Sequence, residues 1–265
     1  MQGRVLVIAG SDSGGGAGIQ ADIKAVTCLN AFAATAVTAI TAQNTLGVFN
    51  IHEIPTSMVA QQIEVVLADI GADVIKTGML ATVPMINAVA DCLDRIAERI
   101  PRVVDPVMRA KGGHPLLADD AAQTLISRMV RGAAVVTPNL PEAEVLIGRS
   151  IKTIADMHAA VEPLRALGAN AILLKGGHLE GLQLVDMLIM RERVQTYEDT
   201  RIDSRSTHGT GCTLASAIAA GLAQKLSLED AVIRARAYVR KALLTAPGLG
   251  QGHGPLNHAH TVVNT

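Results

Sequence analysis

Short runs of β-branched residues alternate along this chain with longer stretches of helical periodicity, and no other feature narrows its possible folds as much. The predicted strands are residues 4–9, 34–41, 73–77, 102–107, 133–137 and 170–175. The stretches that repeat apolar side chains at three- and four-residue steps, as amphipathic helices do, are residues 61–70, 84–100 and 122–130. This alternation predicts an α/β fold of three layers, αβα, in which helices cover both faces of a mostly parallel central sheet.

The C-terminal part of the chain continues this pattern with two variations. Residues 184–198 have a polar centre between strand-forming residues and predict a hairpin. Residues 210–246 are rich in Ala and Leu and predict helices, with Ser227 as the N-cap of the second helix because two acidic residues follow in its first turn. No linker, internal repeat or low-complexity tract interrupts the chain, so we expect a single domain over residues 1–265.

The charge balance and the aromatic content argue against several classes of partner. The 23 Lys and Arg against 24 Asp and Glu give a formal charge of −1, so there is no general cationic field for nucleic acid or an anionic membrane. The chain has no Trp, two Tyr and two Phe, which leaves little material for base-stacking platforms or membrane aromatic belts. No apolar run approaches the roughly 18 residues of a membrane span. We therefore expect neither a nucleic-acid nor a membrane partner.

The cysteines and the N-terminus indicate the compartment. Cys28, Cys92 and Cys212 form no C-x-x-C pair, and their odd number fits a reducing environment better than a disulfide framework. The apolar stretch after Arg4 is short and ends in glycines rather than in a small-residue cleavage site, so no signal peptide is expected. We expect a cytoplasmic protein.

Glycines and polar residues lie at or just after the carboxyl ends of five of the predicted strands. These segments are GSDSGGGAG (10–18), Gly78-Met79, Asp105-Pro106, PNLPEAE (138–144) and Lys175-Gly176-Gly177. An ordinary α/β scaffold also places glycines at such turns, so each segment alone has a structural explanation. Ligands of open parallel sheets bind beyond the carboxyl ends of the strands, and five such segments at one rim favour a ligand site there.

The segment THGTGCT (207–213), which opens an apolar helical stretch, is the strongest single indication of chemistry. Its glycines let successive backbone N–H groups point at one spot, and the helix dipole adds positive potential, so the segment predicts an anion site. Cys212 lies at the start of that helix, where the dipole is expected to lower the pKa of a thiol toward neutrality; Cys212 could then accept a proton from a substrate hydroxyl. The alternative is a small packed cysteine beside a glycine helix entry.

Two common nucleotide-binding motifs are absent from the sequence. No G-x-x-x-x-G-K-[ST] P-loop occurs, and GGGAG lacks the G-x-G-x-x-G spacing of a dinucleotide site. Phosphate chemistry would instead use Lys175 as a compact charge on a transferring phosphoryl group, with Asp105 and Glu142 holding Mg²⁺ directly or through water. For Lys175 alone, an exposed loop lysine is the alternative.

A series of motifs extends over almost the whole chain. In order they are IAGSDSGGGAGIQADIK (8–24), AITAQNT (39–45), KTGML (76–80), VVDPVM (103–108), TPNLPEAE (137–144), LLKGGHL (173–179), STHGTGCTLASAIAAGLA (206–223) and GHGPLNH (252–258). Together they resemble the ribokinase superfamily and, within it, the hydroxymethylpyrimidine/phosphomethylpyrimidine kinases of thiamine biosynthesis. The resemblance implies a ribokinase-like fold, ATP as co-substrate, Mg²⁺ and a homodimer.

The resemblance also implies a reaction and a set of site residues. The ATP γ-phosphoryl group would pass to the hydroxymethyl group of 4-amino-5-hydroxymethyl-2-methylpyrimidine, and a second phosphoryl group to the resulting monophosphate. By position, the residues that would hydrogen-bond the pyrimidine are Gln43 and Asp22, and those that would wall its pocket are Gly10, Ala17, Met79 and Val107. Cys212 would be the catalytic base, and the anion hole would be Gly209, Thr210 and Gly211. Asn139 and Glu142 match an N-x-x-E element associated with Mg²⁺ and phosphate, and Lys175 would contact the ATP phosphates.

Two groups of residues leave alternatives open. The segment 109–115, RAKGGHP, departs from the V-A-K-S-G-D-P that family members more often carry, with Arg109 at an apolar position and His114 at an acidic one. That segment is expected to close over bound phosphate, and Arg109 would either add a phosphate contact or be an exposed basic residue. His253, His258 and His260 belong to the family's ordinary ending, and we expect them to be structural rather than zinc ligands.

Two rival functions remain. One is a pyridoxal or pyridoxine kinase on the same scaffold, which would phosphorylate a hydroxymethyl group on a similar flat heterocycle; Gln43 favours the pyrimidine. The other is a non-catalytic nucleotide or thiamine-precursor sensor, which would need no catalytic base. Because the chain has so few aromatic residues, a bound heterocycle is expected to lie between aliphatic, thioether and peptide surfaces.

Overall fold

Nine strands form one sheet in the computed structural model, which describes residues 2–110, 112–118 and 120–262. In chain order they are β1 (Arg4–Asp12), β2 (Phe32–Gln43), β3 (Val48–Glu53), β4 (Val74–Thr77), β5 (Arg102–Val104), β6 (Val135–Val136), β7 (Ala171–Lys175), β8 (Gln183–Met190) and β9 (Val194–Thr200). Across the sheet the order is β3-β2-β1-β4-β5-β6-β7-β8-β9. In this spatial order, neighbouring strands are parallel from β2 through β1, β4, β5 and β6 to β7. The strands at the two edges, β3 on one side and β8 and β9 on the other, are added by antiparallel pairing.

Helices cover both faces of this sheet. They are α1 (Gly18–Cys28), α2 (Thr56–Asp69), α3 (Val83–Ile96), α4 (Ala122–Leu125, continued by a π-helical turn over Ile126–Val130), α5 (Leu140–Ile147), α6 (Ile154–Ala159), α7 (Val161–Arg165), α8 (Thr210–Ala223) and α9 (Leu228–Leu244), with a 3₁₀ turn at His258–Thr261. Apolar side chains of α1, α8 and α9 pack on one face, and those of α2 to α7 pack on the other. The predicted three-layer fold is confirmed.

Strand β1 shows why the chain folds into layers. Its residues Val5 to Ala9 are at most 1% exposed, because β1 lies between two parallel neighbours and is covered on both faces. Side chains alternate along a strand, so Val5 and Val7 join the core beneath α1, α8 and α9, whereas Leu6 and Ile8 join the opposite core. Each such side chain contributes about 1.5–3 kcal/mol by leaving water.

The predicted elements differ from the observed ones mainly at their ends. The predicted strand 102–107 stops at Val104, and Pro106, which has no N–H to donate to a ladder, follows shortly after. The predicted helix 84–100 ends at Ile96. The hairpin is present as β8 and β9, and Ser227 caps α9 by accepting a hydrogen bond from the Asp230 N–H at 3.1 Å. Strand β3 was not predicted.

The parallel strands deliver polar residues to one rim of the sheet. Asp12 closes β1, Asp105 follows β5, Thr137 follows β6 and Lys175 closes β7. The backbone joins two of these ends directly, since the Lys175 N–H donates to the carbonyl of Pro138 at 2.9 Å. Within the described residues, no helix combines the length and the apolar character needed to cross a bilayer.

Candidate active site

A cavity of about 600 Å³ opens along this rim. Its lining includes every predicted site residue except Asp22: Gly10, Ala17, Gln43, Met79, Asp105, Val107, Asn139, Glu142, Lys175, Gly209, Thr210, Gly211 and Cys212. None of the four Phe and Tyr residues lines it. The sequence-predicted residues therefore meet in one place, and its walls are aliphatic, polar and glycine-rich.

Asp22 lies behind the cavity wall instead of in it. Its side chain is wholly buried, and both carboxylate oxygens lie 2.9 Å from Lys76 Nζ. One of them also accepts a hydrogen bond from Ser216 Oγ at 2.7 Å. Because this carboxylate has no exposed surface and does not line the cavity, the structure does not support the expectation that Asp22 hydrogen-bonds the pyrimidine.

Lys76 is the member of this pair that lines the cavity. Burial by itself lowers the pKa of Lys76, but the paired carboxylate of Asp22 outweighs it and holds the pKa above its usual value. Lys76 is thus a charged group that borders the cavity, although its side chain is as fully buried as that of Asp22. Sequence reasoning missed it because its partner is 54 positions away, and nothing in KTGML shows that pairing.

Gly209 lets two segments meet at the start of α8. It is the N-cap of α8 with a φ of 81°, a conformation that favours glycine. A Cβ at this position would lie 1.8 Å from the carbonyl oxygen of Gly16. The glycine-rich segment after β1 can approach the amides of α8 this closely only because no side chain stands between them.

Cys212, in the first turn of α8, does not have the lowered pKa that its position predicted. Burial raises the pKa of the thiol to about 12, and nearby Lys76 offsets only part of that effect. The carboxylates of Asp22 and Asp105 add to the rise. In the ligand-free site Cys212 is therefore a protonated thiol at neutral pH.

Lys175 and two carboxylates form a charged cluster beside the start of α8. Lys175 Nζ lies 3.5 Å from Asp105 Oδ1. Burial acts to lower the pKa of Lys175, but Asp105 and Glu142 outweigh it and raise the pKa. Burial, with a contribution from Asp105, raises the pKa of Glu142 to about 7, although Lys175 acts to lower it. A Cβ at Gly211 would lie 3.3 Å from Lys175 Nζ, so this cluster adjoins the start of α8.

Asn139 and Glu142 have a structural role besides the predicted one. The Glu142 N–H donates to Asn139 Oδ1 at 2.9 Å, and the Asn139 N–H donates to Glu142 Oε2 at 2.8 Å. This reciprocal pair is a capping box at the start of α5. Both side chains are held in place by the helix whose end faces the cavity.

Asp12 organises the opposite side of the site. Its carboxylate accepts hydrogen bonds from the Gly14, Gly16 and Ala17 amides at 2.8–3.1 Å and lies 2.8 Å from His208 Nε2. Burial acts to raise the pKa of Asp12, but these hydrogen bonds outweigh it and lower the pKa. Asp12 thus shapes the glycine-rich segment and joins it to the segment before α8.

The partners of Gln43 determine how its amide is turned. His208 Nε2 faces the Asp12 carboxylate, which can only accept, so this nitrogen carries a proton. The structure places Gln43 Nε2 3.2 Å from this nitrogen, so two donors face each other, and turning the amide over brings its oxygen there instead. On its other side Thr41 Oγ1, 3.2 Å away, donates to the Ser11 carbonyl and therefore accepts from the amide NH₂. One N–H and one oxygen lone pair of Gln43 remain for a ligand.

The end of the cavity near β9 and α9 is lined by residues that the sequence did not single out. Leu184, Ile202, Val239 and Leu243 supply aliphatic surface there. Arg201 donates to the carbonyls of Gly177, Leu179 and Gly181 and thereby fixes the loop after β7. No short motif marks this end, because its residues come from three separate elements.

Two of the three C-terminal histidines, His258 and His260, have side-chain partners within the protein. His258 Nε2 lies 3.0 Å from Thr213 Oγ1, and His260 Nε2 lies 3.1 Å from the Tyr238 carbonyl. Among the residues that the structure describes, no group of three or more His, Cys, Asp or Glu side chains is arranged to hold a metal ion.

A profile of the phosphomethylpyrimidine kinase family matches residues 12–257. The chain belongs to this family. It is 45% identical over 258 residues to the hydroxymethylpyrimidine/phosphomethylpyrimidine kinase of Rhizobium meliloti, a match that covers 96% of each chain. It is 49% identical over 257 residues to a thiamine biosynthesis bifunctional protein of Geobacter sulfurreducens, covering 97% of this chain and 52% of that protein, so the chain spans about half of that relative.

The family's fold is also that of a solved vitamin kinase. An ADP complex of Bacillus subtilis pyridoxal kinase superposes with a TM-score of 0.91 at 36% identity and covers 100% of both chains. Membership and this likeness make the chain a kinase of the ribokinase-like fold that uses ATP as co-substrate. The likeness to a pyridoxal kinase also leaves pyridoxal as the alternative substrate.

Proposed function

We propose that this chain transfers the γ-phosphoryl group of ATP to the hydroxymethyl group of 4-amino-5-hydroxymethyl-2-methylpyrimidine and then a second phosphoryl group to the monophosphate. The unused hydrogen-bonding groups of Gln43 carry the choice of substrate. Its free N–H and free oxygen lone pair match the adjacent ring nitrogen and amino group of a 4-aminopyrimidine. In pyridoxal a methyl-bearing carbon separates the ring nitrogen from the hydroxyl, so it has no such adjacent pair.

The other residues of the site would have separate roles in the phosphoryl transfer. The backbone amides of Gly209, Thr210 and Gly211 would hold the charge that develops on the phosphoryl oxygens, and Lys175 would bring its ammonium to the same oxygens. Cys212 would take the proton of the attacking hydroxyl. Met79, Val107, Gly10 and Ala17 would flank the pyrimidine ring with thioether, aliphatic and peptide surface.

Asp105 and Glu142 suit a Mg²⁺ ion. Both are buried carboxylates at the cavity, and their mutual repulsion contributes to the raised pKa of Glu142. Mg²⁺ is typically held by one or two carboxylates together with phosphate oxygens and water. These two residues would hold the ion, which when bound neutralises charge on the ATP phosphates. Asn139 would keep Glu142 in place through the capping box.

The adenine of ATP would occupy the aliphatic end of the cavity. Leu184, Ile202, Val239 and Leu243 offer flat apolar contact there, in keeping with a site that contains no Phe or Tyr. Lys175 closes β7, which lies in the sheet between β5, the strand before Val107, and β8, the strand that carries Leu184. The phosphates would then lie along the start of α8.

We further propose a homodimer in the cytoplasm. The β2–β3 edge supports the dimer, because Ile40, Leu46 and Phe49 are 51%, 60% and 69% exposed there. The three free cysteines support a reducing compartment.

A coupled ATPase assay that offers hydroxymethylpyrimidine, its monophosphate and pyridoxal side by side tests this function. We expect turnover of both pyrimidines and a kcat/KM for pyridoxal at least tenfold lower. A preference for pyridoxal by more than tenfold would overturn the pyrimidine assignment, and no turnover of any substrate would favour a sensor.

The Gln43→Leu variant tests the observation that carries the substrate. It should reduce kcat/KM for hydroxymethylpyrimidine by about 10²-fold or more, since a site built to pair two polar groups loses both. The matched control is Gln195→Leu, at an exposed position in β9, and it should leave kcat/KM unchanged.

A further inference from the structure

The basic residues that line the cavity differ in the partners that their side chains contact. Most face carboxylates: Lys76 with Asp22, Lys175 with Asp105, Arg236 with Asp186 and Asp199, and Arg240 with Asp199. Arg201 is committed to three carbonyls. The side chain of Arg109 instead makes one 3.2 Å hydrogen bond, to the carbonyl of Gly113. Of these cations, Arg109 has the most hydrogen-bonding capacity left for a ligand.

The backbone around Arg109 is nevertheless fixed. Arg109 pairs with Pro115 in an antiparallel bridge, and the Ala110 N–H donates to the His114 carbonyl at 2.8 Å. The Leu116 N–H donates to the Met108 carbonyl at 2.8 Å. These bonds fix the backbone of Arg109. Val107, which we place against the pyrimidine, lies two residues before it, and Arg109 itself lines the cavity.

The two substrates of the proposed function differ in the charge they bring to this place. Hydroxymethylpyrimidine presents a neutral hydroxyl, whereas its monophosphate presents a dianion above a pKa of about 6. Lys175 is already shared by Asp105 and Glu142, and the ATP phosphates add further negative charge. Placing the substrate's phosphate next to the ATP phosphates therefore needs a cation that is not already paired with a carboxylate.

We propose that Arg109 binds the phosphate of the monophosphate substrate during the second phosphorylation. This proposal rests on the proposed function. A guanidinium can donate two parallel N–H bonds to phosphate oxygens. A phosphate oxygen of the substrate forms a new bond to the γ-phosphorus of ATP, the bond from that phosphorus to the β-bridging oxygen breaks, and ADP leaves with its electron pair. No proton needs to be removed, since the attacking oxygen is already ionised.

Steady-state kinetics of Arg109→Val and Arg109→Lys test this role. Arg109→Val should raise KM for the monophosphate about 10- to 100-fold, the usual value of hydrogen bonds to a charged group. KM for hydroxymethylpyrimidine and for ATP should stay within about twofold. Arg109→Lys should recover part of the loss, because the charge returns without the planar pair of donors. The control is Arg191→Val, at the exposed turn between β8 and β9, which should change none of the three constants.

Other outcomes would overturn the proposal. Equal increases for both pyrimidines would assign Arg109 to the folding of the backbone around its bridge to Pro115, and an increase in KM for ATP alone would place it on the nucleotide. Calorimetric binding of the monophosphate to the wild type and to Arg109→Val separates this proposal from the proposed function. If the wild type binds the monophosphate without turning it over, the second reaction fails while a weaker Kd in Arg109→Val still supports the contact; equal Kd values would refute it.

Discussion

At the scale of single residues, the protonated thiol of Cys212 has a direct kinetic consequence. With the pKa raised to about 12, about one thiol in 10⁴ is ionised at pH 8. If Cys212 is the base, kcat for hydroxymethylpyrimidine should rise about tenfold per pH unit between pH 7 and 9. For the monophosphate, whose attacking oxygen is already ionised, kcat should be nearly flat over this range. A pH–rate profile for each substrate checks this, and a flat profile for both would mean that Cys212 is not the base or is ionised in the loaded site.

Removing the thiol should separate the two reactions in the same way. Cys212→Ala should lose about 10²–10⁴ in kcat for hydroxymethylpyrimidine, the usual contribution of a positioned base, and stay within about threefold for the monophosphate. Single-turnover rates with each substrate measure the two effects. Cys28→Ala, which removes a thiol that does not line the cavity, is the control. An equal loss for both substrates would assign Cys212 to packing.

At the scale of elements, the contact between α8 and the glycine-rich segment depends on Gly209. Gly209→Ala should cost about 2–4 kcal/mol in the free energy of unfolding, because its Cβ would strike Gly16 as well as adopt an unfavourable φ. Gly148, the C-cap of α5, has a φ of 65° and open space around it, so Gly148→Ala should cost only about 1 kcal/mol. Urea denaturation compares the two, and similar losses would show that the Gly16 contact relaxes without cost.

The C-terminal 3₁₀ turn should detach from α8 as the pH falls. Burial lowers the pKa of His258 to about 4, so the folded state resists a proton that the unfolded chain takes up at about pH 6.5. Stability is therefore complete above pH 6.5 and falls as the pH drops to about 4, by about 3 kcal/mol in total. His258→Gln should flatten the dependence of Tm on pH over this interval, and His253→Gln, at an exposed residue, should not. An unchanged slope in His258→Gln would refute the assignment.

At the scale of the whole molecule, the exposed apolar side chains at the β3 edge favour a second copy. Phe49 is 69% exposed, and Phe49→Asp should convert the proposed dimer to a monomer by placing two like charges across a self-complementary edge. Sedimentation velocity at micromolar concentration measures this. Phe32→Asp, at the start of β2, is the comparison variant and should leave the dimer intact. A wild type that sediments as a monomer would contradict the proposed homodimer.

The alternation of strands and helices predicted most of this architecture, because parallel strands buried on both faces give unbroken apolar runs such as Val5 to Ala9. Strand β3 was not predicted from the sequence, because an edge strand with four of six residues exposed has no such apolar run. In the site, motifs predicted which residues meet but not how they are held. The pairing of Asp22 with Lys76 and the desolvation of Cys212 depend on packing between distant segments. The single domain over residues 1–265 stays a prediction, which the continuous sheet supports.

The hydrogen bond between Asp12 and His208 joins residues 196 positions apart, and this separation matters while the protein is being made. A ribosome adding about 5–20 residues per second needs roughly 10–40 s to pass from one partner to the other. During that time the glycine-rich segment after β1 has neither its histidine nor the start of α8, where we propose that phosphate binds. A nascent chain should therefore be unable to hold ATP until α8 has emerged, so nucleotide can assist only the last stage of folding.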